Sequence, residues 1–195
     1  MTTPVTARDR AKAERSDAIR HEAALLFAAR GYNGVSLEDI GAAVGVSGPA
    51  VYRHFAGKQA LLGSVLVKVS HDLLAGGTRV ATTDADAEER MQALIRFHVD
   101  FALHNAAVIQ VQDRDVVHLA DDDRADVRRL QRDYIELWID TLAPLHPADR
   151  DELRLRVQAC FGLINSTPHS TRAAARRHAA TGDVLARMAA AALRG

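Results

Sequence analysis

Gly45-Val46-Ser47-Gly48-Pro49-Ala50-Val51-Tyr52-Arg53-His54-Phe55-Ala56-Gly57-Lys58 is the stretch on which the reading of this chain turns. Gly45 permits a tight turn. Ser47 is a cap-forming residue, and Pro49 falls in the first turn of the following segment, where its missing N–H costs nothing. Val51 and Phe55 share one face of that segment, Gly57 breaks it, and Lys58 opens another helix. Just upstream, Ser36-Leu37-Glu38-Asp39 has the form of a helix start. Ser36 can accept from a backbone N–H near position 39. Asp39 stands where a capping box prefers Glu or Gln, and adds negative charge to the first turn. Leu37, Ile40 and Val44 share a face, and Gly45 ends this helix after about two turns. Two short helices joined by Gly45-Val46-Ser47 make a helix-turn-helix candidate over residues 36–55.

Such a motif has physical requirements. Ile40, Val44, Val46, Val51 and Phe55 can lock the two helices together. Gly48, Pro49 and Ala50 keep the start of the second helix slim enough to enter a major groove. Tyr52, Arg53, His54 and Lys58 are hydrogen-bond donors able to grip phosphates.

Working outward, Ile19, Leu25, Leu26 and Phe27 form a helical stripe ended by Gly31, so a first helix is expected over 8–30. The helix from Lys58 should stop near Ala75, before Gly76-Gly77-Thr78. Residues 78–87 then form a connector, and further helices are expected at 87–104, 106–119, 123–143, 148–166 and 180–194. Asp121-Asp122-Asp123 reads as a helix cap rather than a cation loop, since three consecutive aspartates lack a calcium loop's spacing. No alternating segment bounded by Asn-Gly or Asp-Gly turns suggests strands, and no internal repeat stands out. The expected fold is all-α. A three-helix helix-turn-helix domain occupies residues 1–60, and a larger helical domain occupies 61–195.

The chain has 195 residues, 48% apolar and 26% charged, with 25 Lys/Arg against 25 Asp/Glu. That composition supports a packed core. Residues 1–60 carry eight Lys/Arg and six Asp/Glu, a small excess in the direction a DNA-binding end needs. Cys160, the only cysteine, lies in an apolar run and reads as core. Met1-Thr2-Thr3-Pro4 precedes no apolar leader, and no apolar run approaches the ~18 residues of a membrane span. The protein is therefore expected to be cytoplasmic, with no membrane partner. No HExxH, nucleophile elbow, phosphate loop or Cys/His metal spacing occurs, and His21-Glu22 lacks a second histidine at helical spacing. Neither an enzyme, a cofactor nor a metal is expected.

The quoted stretch resembles the signature of the TetR family, which runs from a Gly-Val-Ser turn through Tyr-x-His-Phe to a Lys opening the next helix. Phe27-Ala28-Ala29-Arg30-Gly31-Tyr32 is similar to the end of that family's first helix. Val35-Ser36-Leu37-Glu38-Asp39-Ile40-Gly41 is similar to the start of its second. The resemblance covers roughly residues 16–63. It implies a ligand-responsive transcriptional regulator, by family default a repressor, binding a near-palindromic double-stranded operator as a homodimer. By position it assigns Ser36, Tyr52, His54 and Lys58 to phosphates. It assigns Ser47, Gly48, Pro49, Ala50 and Arg53 to the surface facing base edges. Gly48, Pro49 and Ala50 stand where Lys or Arg, Gly, and Thr are commoner, which leaves Arg53 as the single bidentate guanine reader. Arg8, Arg10 and Lys12 form a basic arm that could reach DNA or stay solvated. A helical module that has lost DNA binding is the rival reading, and Tyr52, His54 and Lys58 speak against it.

The resemblance makes the later helices an effector-binding and dimerisation domain. Cys160, Phe161, Leu163 and Ile164, with Val184, Leu185, Met188, Ala189, Ala192 and Leu193, supply apolar faces for a dimer. Phe97, Phe101, Val108, Trp138 and Phe161 are candidate apolar lining of an effector pocket, together with Val111, Ile139 and Leu142. His104, Gln112 and Asn165 are candidate polar contacts, together with His98 and His169. Asp113-Arg114-Asp115, Arg128-Arg129-Leu130-Gln131-Arg132-Asp133-Tyr134 and Leu137-Trp138 resemble actinobacterial members that control lipid or steroid-type catabolism. They point to a small hydrophobic effector, with fatty acids and acyl-CoA thioesters as candidates. Arg114, Arg124, Arg128, Arg129 and Arg132 could hold CoA phosphates, or could pair with the neighbouring aspartates on a solvated surface.

Overall fold

A computed structural model describes residues 6–172 and 179–194; the Met1–Pro4 leader reading lies outside them. Helix α1 (Ala7–Arg30) starts at a capping box between Thr6 and Asp9 and stops at Gly31, whose φ of 77° suits a residue without Cβ. Helices α2 (Leu37–Ala43) and α3 (Gly48–Tyr52) are the two short arms of the helix-turn-helix. They are followed by α4 (Lys58–Ala81), α5 (Ala87–His104) and α6 (Ala106–Asp115). A 3-10 turn, Val116–His118, leads to α7 (Asp121–Leu142) and α8 (Arg150–Asn165). The short α9 (Thr167–Ser170) and α10 (Ala179–Arg194) complete the order. The fold is all-α, with no strand among the described residues.

Two apolar cores share the molecule. The first gathers Ile19, Phe27, Ile40 and Val51 with Leu61, Leu62 and Leu66 of α4, and takes Val111, Leu119 and Val127 from later in the chain. The second joins α5, α7, α8 and α10 around Leu94, Trp138, Val157 and Ile164. Helix α4 runs through both layers, packed on α1, α5 and α7. It corrects one sequence expectation, because by length and composition it is apolar enough to cross a membrane. Its apolar character is used here for burial on several sides.

Gly76 and Gly77 do not stop α4, which continues to Ala81. A Cβ on Gly76 would run into the Phe97 ring, and one on Gly77 would lie 2.5 Å from Tyr134 Cε2. The pair lets α5 and α7 approach the α4 backbone, and that packing outweighs the poor helix propensity of glycine. Asp121, Asp122 and Asp123 sit inside the first turn of α7 rather than capping it; Ala120 is the N-cap and makes no side-chain cap bond. Their charge still complements the helix dipole.

Candidate functional site

At the turn of the helix-turn-helix, Gly45 has φ 71°. A Cβ on Gly41 would lie 2.8 Å from Val46 O, so α2 presses directly on the turn. Ile40 and Val51 are wholly buried and Phe55 nearly so, which fixes α3 against α2. Ser36 and Asp39 form a full capping box. Ser36 Oγ accepts from Asp39 N at 3.0 Å, and Asp39 Oδ2 accepts from Ser36 N at 2.8 Å. Aspartate thus suffices where Glu or Gln is commoner.

Tyr52 is 55% exposed, and Ser47, Pro49 and Arg53 are also exposed on α3 and its ends. Ser47 occupies the N-cap position but makes no cap bond, so its hydroxyl is not spent on the helix as the sequence suggested. Ala50 is half-buried. Gly48 is buried, and a Cβ there would lie 3.0 Å from Glu38 Oε1, so this residue faces α2.

His54 Nδ1 lies 2.8 Å from Ser16 Oγ of α1. Burial lowers its pKa, and the positive charges of Lys12, Arg15 and Arg53 lower it further. That direction reports three cations converging on the open end of the motif. Sequence reading had singled out Lys12 and Arg53 but missed Arg15; the signal was there in Arg8, Lys12 and Arg15 at i, i+4 and i+7 on α1. Lys58 Nζ donates to Tyr32 O and Val35 O, each at 2.9 Å, and lies 4.4 Å from the Tyr32 ring centroid. Two of its three N–H donors thus tie the α1–α2 loop to α4, and one is left over. Ser36, Tyr52 and Lys58 line one shallow groove with Asn33 and Asp39.

A second concavity of about 170 Å³ lies between α4, α5, α6, α7 and α8. Of the residues the sequence offers for an effector pocket, Phe101, Val108, Gln112, Phe161 and Asn165 line it. Trp138 is wholly buried behind the wall, edge-on to Phe161 with ring centroids 4.9 Å apart. Phe97 packs instead on Gly76, and His104 turns to the surface, its Nδ1 2.7 Å from Asp100 O. Val111 belongs to the other core, and His169 pairs with Asp113 at 2.9 Å. Sequence reading had placed His98 among the polar candidates but missed Ser70 and Tyr134, which also line the cavity.

His98 is 2% exposed and sits among aromatic rings, its centroid 4.5 Å from that of Phe161. Burial depresses its pKa to about 4, with Asn165 opposing the shift. Tyr134 Oη lies 3.3 Å from His98 Nδ1, while His98 Nε2 and Asn165 Oδ1 reach good hydrogen-bond geometry with no partner, although Asn165 stands close enough to His98 to hold its pKa up. The low pKa sets a pH dependence. The unfolded chain, with His98 near its ordinary 6.5, binds a proton that the folded protein refuses until about pH 4. Stability is therefore whole above pH 6.5 and falls as the pH drops towards 4. Urea unfolding should show His98 alone removing about 2 kcal/mol between pH 7.5 and 5. His98→Phe should flatten that decline, and an unchanged decline in this variant would rule the cause out.

Arg114 of α6 spans the two layers. Its Nη2 donates to Phe27 O of α1 and to Asp115 Oδ2 at 2.9 Å. Nearby, Gln59 Nε2 donates to His118 O at 2.9 Å, and the His118 ring stacks on Tyr32. Arg124 and Arg129 pair with Asp121 and Asp126. Arg128 and Arg132 are exposed on α7. None of these arginines lines the cavity. Cys160 is buried, its thiol pushed up to about 12 by burial, which suits a core residue.

Comparisons with known proteins agree with this architecture. Residues 19–65 match the family model of the bacterial regulatory proteins of the tetR family, and residues 84–169 match that of the tetracyclin repressor-like C-terminal domain. The transcriptional repressor KstR2 of Rhodococcus jostii is 24% identical over 143 residues, which cover 73% of this chain and 70% of that one. A TetR-family regulator from Bordetella parapertussis superposes with a TM-score of 0.79 at 24% identity, covering 91% of this chain and 93% of that one. The structure of AibR in complex with isovaleryl coenzyme A and operator DNA superposes with a TM-score of 0.74 at 20% identity, covering 92% of this chain and 98% of that one. The two domain matches fall in the order and at the positions where the structure builds a helix-turn-helix and a helical cavity-bearing layer, and on that ground the chain belongs to the TetR family of bacterial DNA-binding transcriptional regulators.

Proposed function

We propose that this chain is a cytoplasmic, ligand-responsive repressor that binds a near-palindromic operator as a homodimer and is released by a small hydrophobic effector. The observation that carries this reading is the outward face of α3. Ser47, Pro49, Tyr52 and Arg53 stand clear of the core, and Lys12, Arg15 and Arg53 crowd positive charge beside them. Phosphates would meet Tyr52, His54, Lys58 and Ser36, the last after exchanging its bond to Asp39. Ser47, Pro49, Ala50 and Arg53 would meet base edges, with Gly48 giving close approach. The largely apolar lining of the cavity between α4 and α8 supports a hydrophobic effector.

Selection from a random DNA pool tests the reading. The expected product is a two-fold element with half-sites about one helical turn or more apart. Enrichment of no sequence would overturn it.

Dimerisation is assigned to the outer faces of α8 and α10. Leu155, Val184 and Met188 are exposed there, and a groove lined by Leu163, Leu185 and Met188 runs between α8, α9 and α10. Several residues the sequence offered for this face are instead monomer core, namely Cys160, Ile164, Ala189 and Leu193, while Phe161 lines the cavity. Leu155→Arg combined with Met188→Arg should leave the melting curve nearly unchanged and halve the mass seen by light scattering. A wild-type monomer at micromolar concentration would sink the dimer.

A further inference from the structure

The effector reading can be narrowed by the polar groups of the cavity. Resting on that reading, we infer that the effector is an uncharged, single-ring molecule bearing one hydroxyl, of which an alkylphenol is the type. The hydroxyl accepts from His98 and donates to Asn165.

Size comes first. A cavity of about 150 Å³ lined by apolar side chains is filled by benzene. The present concavity is about 170 Å³ and partly open to the surface, so its inner part has room for one ring and a small substituent. Phe101, Val108, Ile109 and Leu73 offer apolar contact to such a ring.

The polar atoms then select the substituent. His98 Nε2 and Asn165 Oδ1 are both buried and neither reaches hydrogen-bond geometry with a partner, although Asn165 stands close enough to His98 to hold its pKa up, and both residues line the cavity. A buried polar atom left unpaired costs free energy that a ligand recovers by pairing it. Tyr134 Oη lies 3.3 Å from Nδ1; we assign the phenol as the donor there, which puts the ring proton on Nε2 and makes it a donor. Asn165 Oδ1 is an acceptor. A donor and an acceptor side by side are matched by a group that offers one of each, which a hydroxyl does. Ser70 does not compete, because its hydroxyl donates to Leu66 O within α4.

Charge excludes the alternatives. Among the described residues no Lys or Arg lines the cavity, and Asp113 does. A carboxylate offers acceptors only, so it could meet Asn165 only if the amide turned to present Nδ2 in place of Oδ1. It would also have no cation to offset its desolvation.

Calorimetry on the purified full chain at pH 7.5 tests this with p-cresol, toluene, 4-methylbenzoate and isovaleryl-CoA. The expected order puts p-cresol ahead of toluene by about tenfold or more, the gain of pairing two orphaned groups. The other two should bind more weakly than toluene. Asn165→Leu and His98→Phe should each keep toluene binding and collapse the p-cresol advantage towards onefold. A merely structural role would weaken both probes together. Equal binding of toluene and p-cresol by the wild type overturns the assignment, as does tighter binding of the benzoate or the thioester, or binding of none of the four. Gel shift of selected DNA is read in parallel. A chain that binds DNA but ignores p-cresol defeats this inference alone, whereas a chain that binds p-cresol but no DNA defeats the regulator reading.

Discussion

Operator binding will fall by about three to five decades when the salt is raised from 50 to 200 mM, the loss expected when six to ten phosphates are neutralised. Lys12, Arg15 and Arg53 converge at the open end of each helix-turn-helix, close enough to lower the pKa of His54. Lys58 contributes the donor left after its two bonds to Tyr32 O and Val35 O. Three or four cations per protomer, doubled in the proposed dimer, reach that range. His54 adds a hydrogen bond but little charge at neutral pH, because its pKa is lowered. Substitutions should separate by kind. Arg15→Ala should lower the log–log slope by about 0.9 per protomer. Tyr52→Phe should leave the slope alone and weaken all sequences at least about tenfold per half-site, the worth of one hydrogen bond to a charged group. Arg53→Ala should relax preference at one base position at a cost of about 1–3 kcal/mol. A uniform loss would put Arg53 on the backbone instead. Binding that barely responds to salt would refute the phosphate-dominated interface.

The features legible in the sequence were those set by near neighbours. A glycine turn, a capping serine and apolar residues at i and i+4 are local devices, so the helix-turn-helix could be read without knowing what packs on it. Features set by distant partners misled. Gly76-Gly77 has the local form of a helix stop, and only the rings of Phe97 and Tyr134 show that it is a packing face. Ser47 has the form of a cap and makes no cap bond.

The cavity illustrates the same limit along a single helix. His98 and Phe101, three residues apart on α5, both reach it. Phe97, about 100° around the helix from His98, faces Gly76 instead. His104, six positions on, turns to the surface. Composition alone makes Phe97 and Phe101 equivalent, so the choice between them waits for the position of α4. Trp138 falls one turn beyond Tyr134 on the same face of α7, and is buried behind the wall it was expected to form.

Arg114→Ala will destabilise the protein by about 2–3 kcal/mol, somewhat under the range for breaking a fully buried ion pair because the guanidinium keeps one side in water. Asp115 is 3% exposed, and its carboxylate accepts from Arg114 Nε at 3.1 Å and Nη2 at 2.9 Å. Removing the arginine strands that charge in the core. The same guanidinium donates to Phe27 O and Ala28 O at the end of α1, where a cation also suits the helix dipole. Arg114→Lys should restore less than half of the loss, since one ammonium cannot span two carboxylate oxygens and two carbonyls. Urea unfolding at pH 7.5 measures both, and an Arg114→Ala variant within about 0.5 kcal/mol of wild type, the ordinary range for surface substitutions, would show that Asp115 is satisfied some other way. The consequence reaches function because α6 holds both ends of the link. Val108, Ile109 and Gln112 wall the cavity, and two residues later Arg114 grips the helix that carries the DNA-binding unit. A ligand can release DNA only through contacts that differ between the two conformations. Cutting the grip should therefore leave ligand affinity for the free protein nearly intact while shrinking the ligand's effect on operator affinity, normally about 5–150-fold in such systems, towards unity. An Arg114→Ala variant that still releases DNA with the full wild-type response would move the coupling to the His118–Tyr32 stack or to α4.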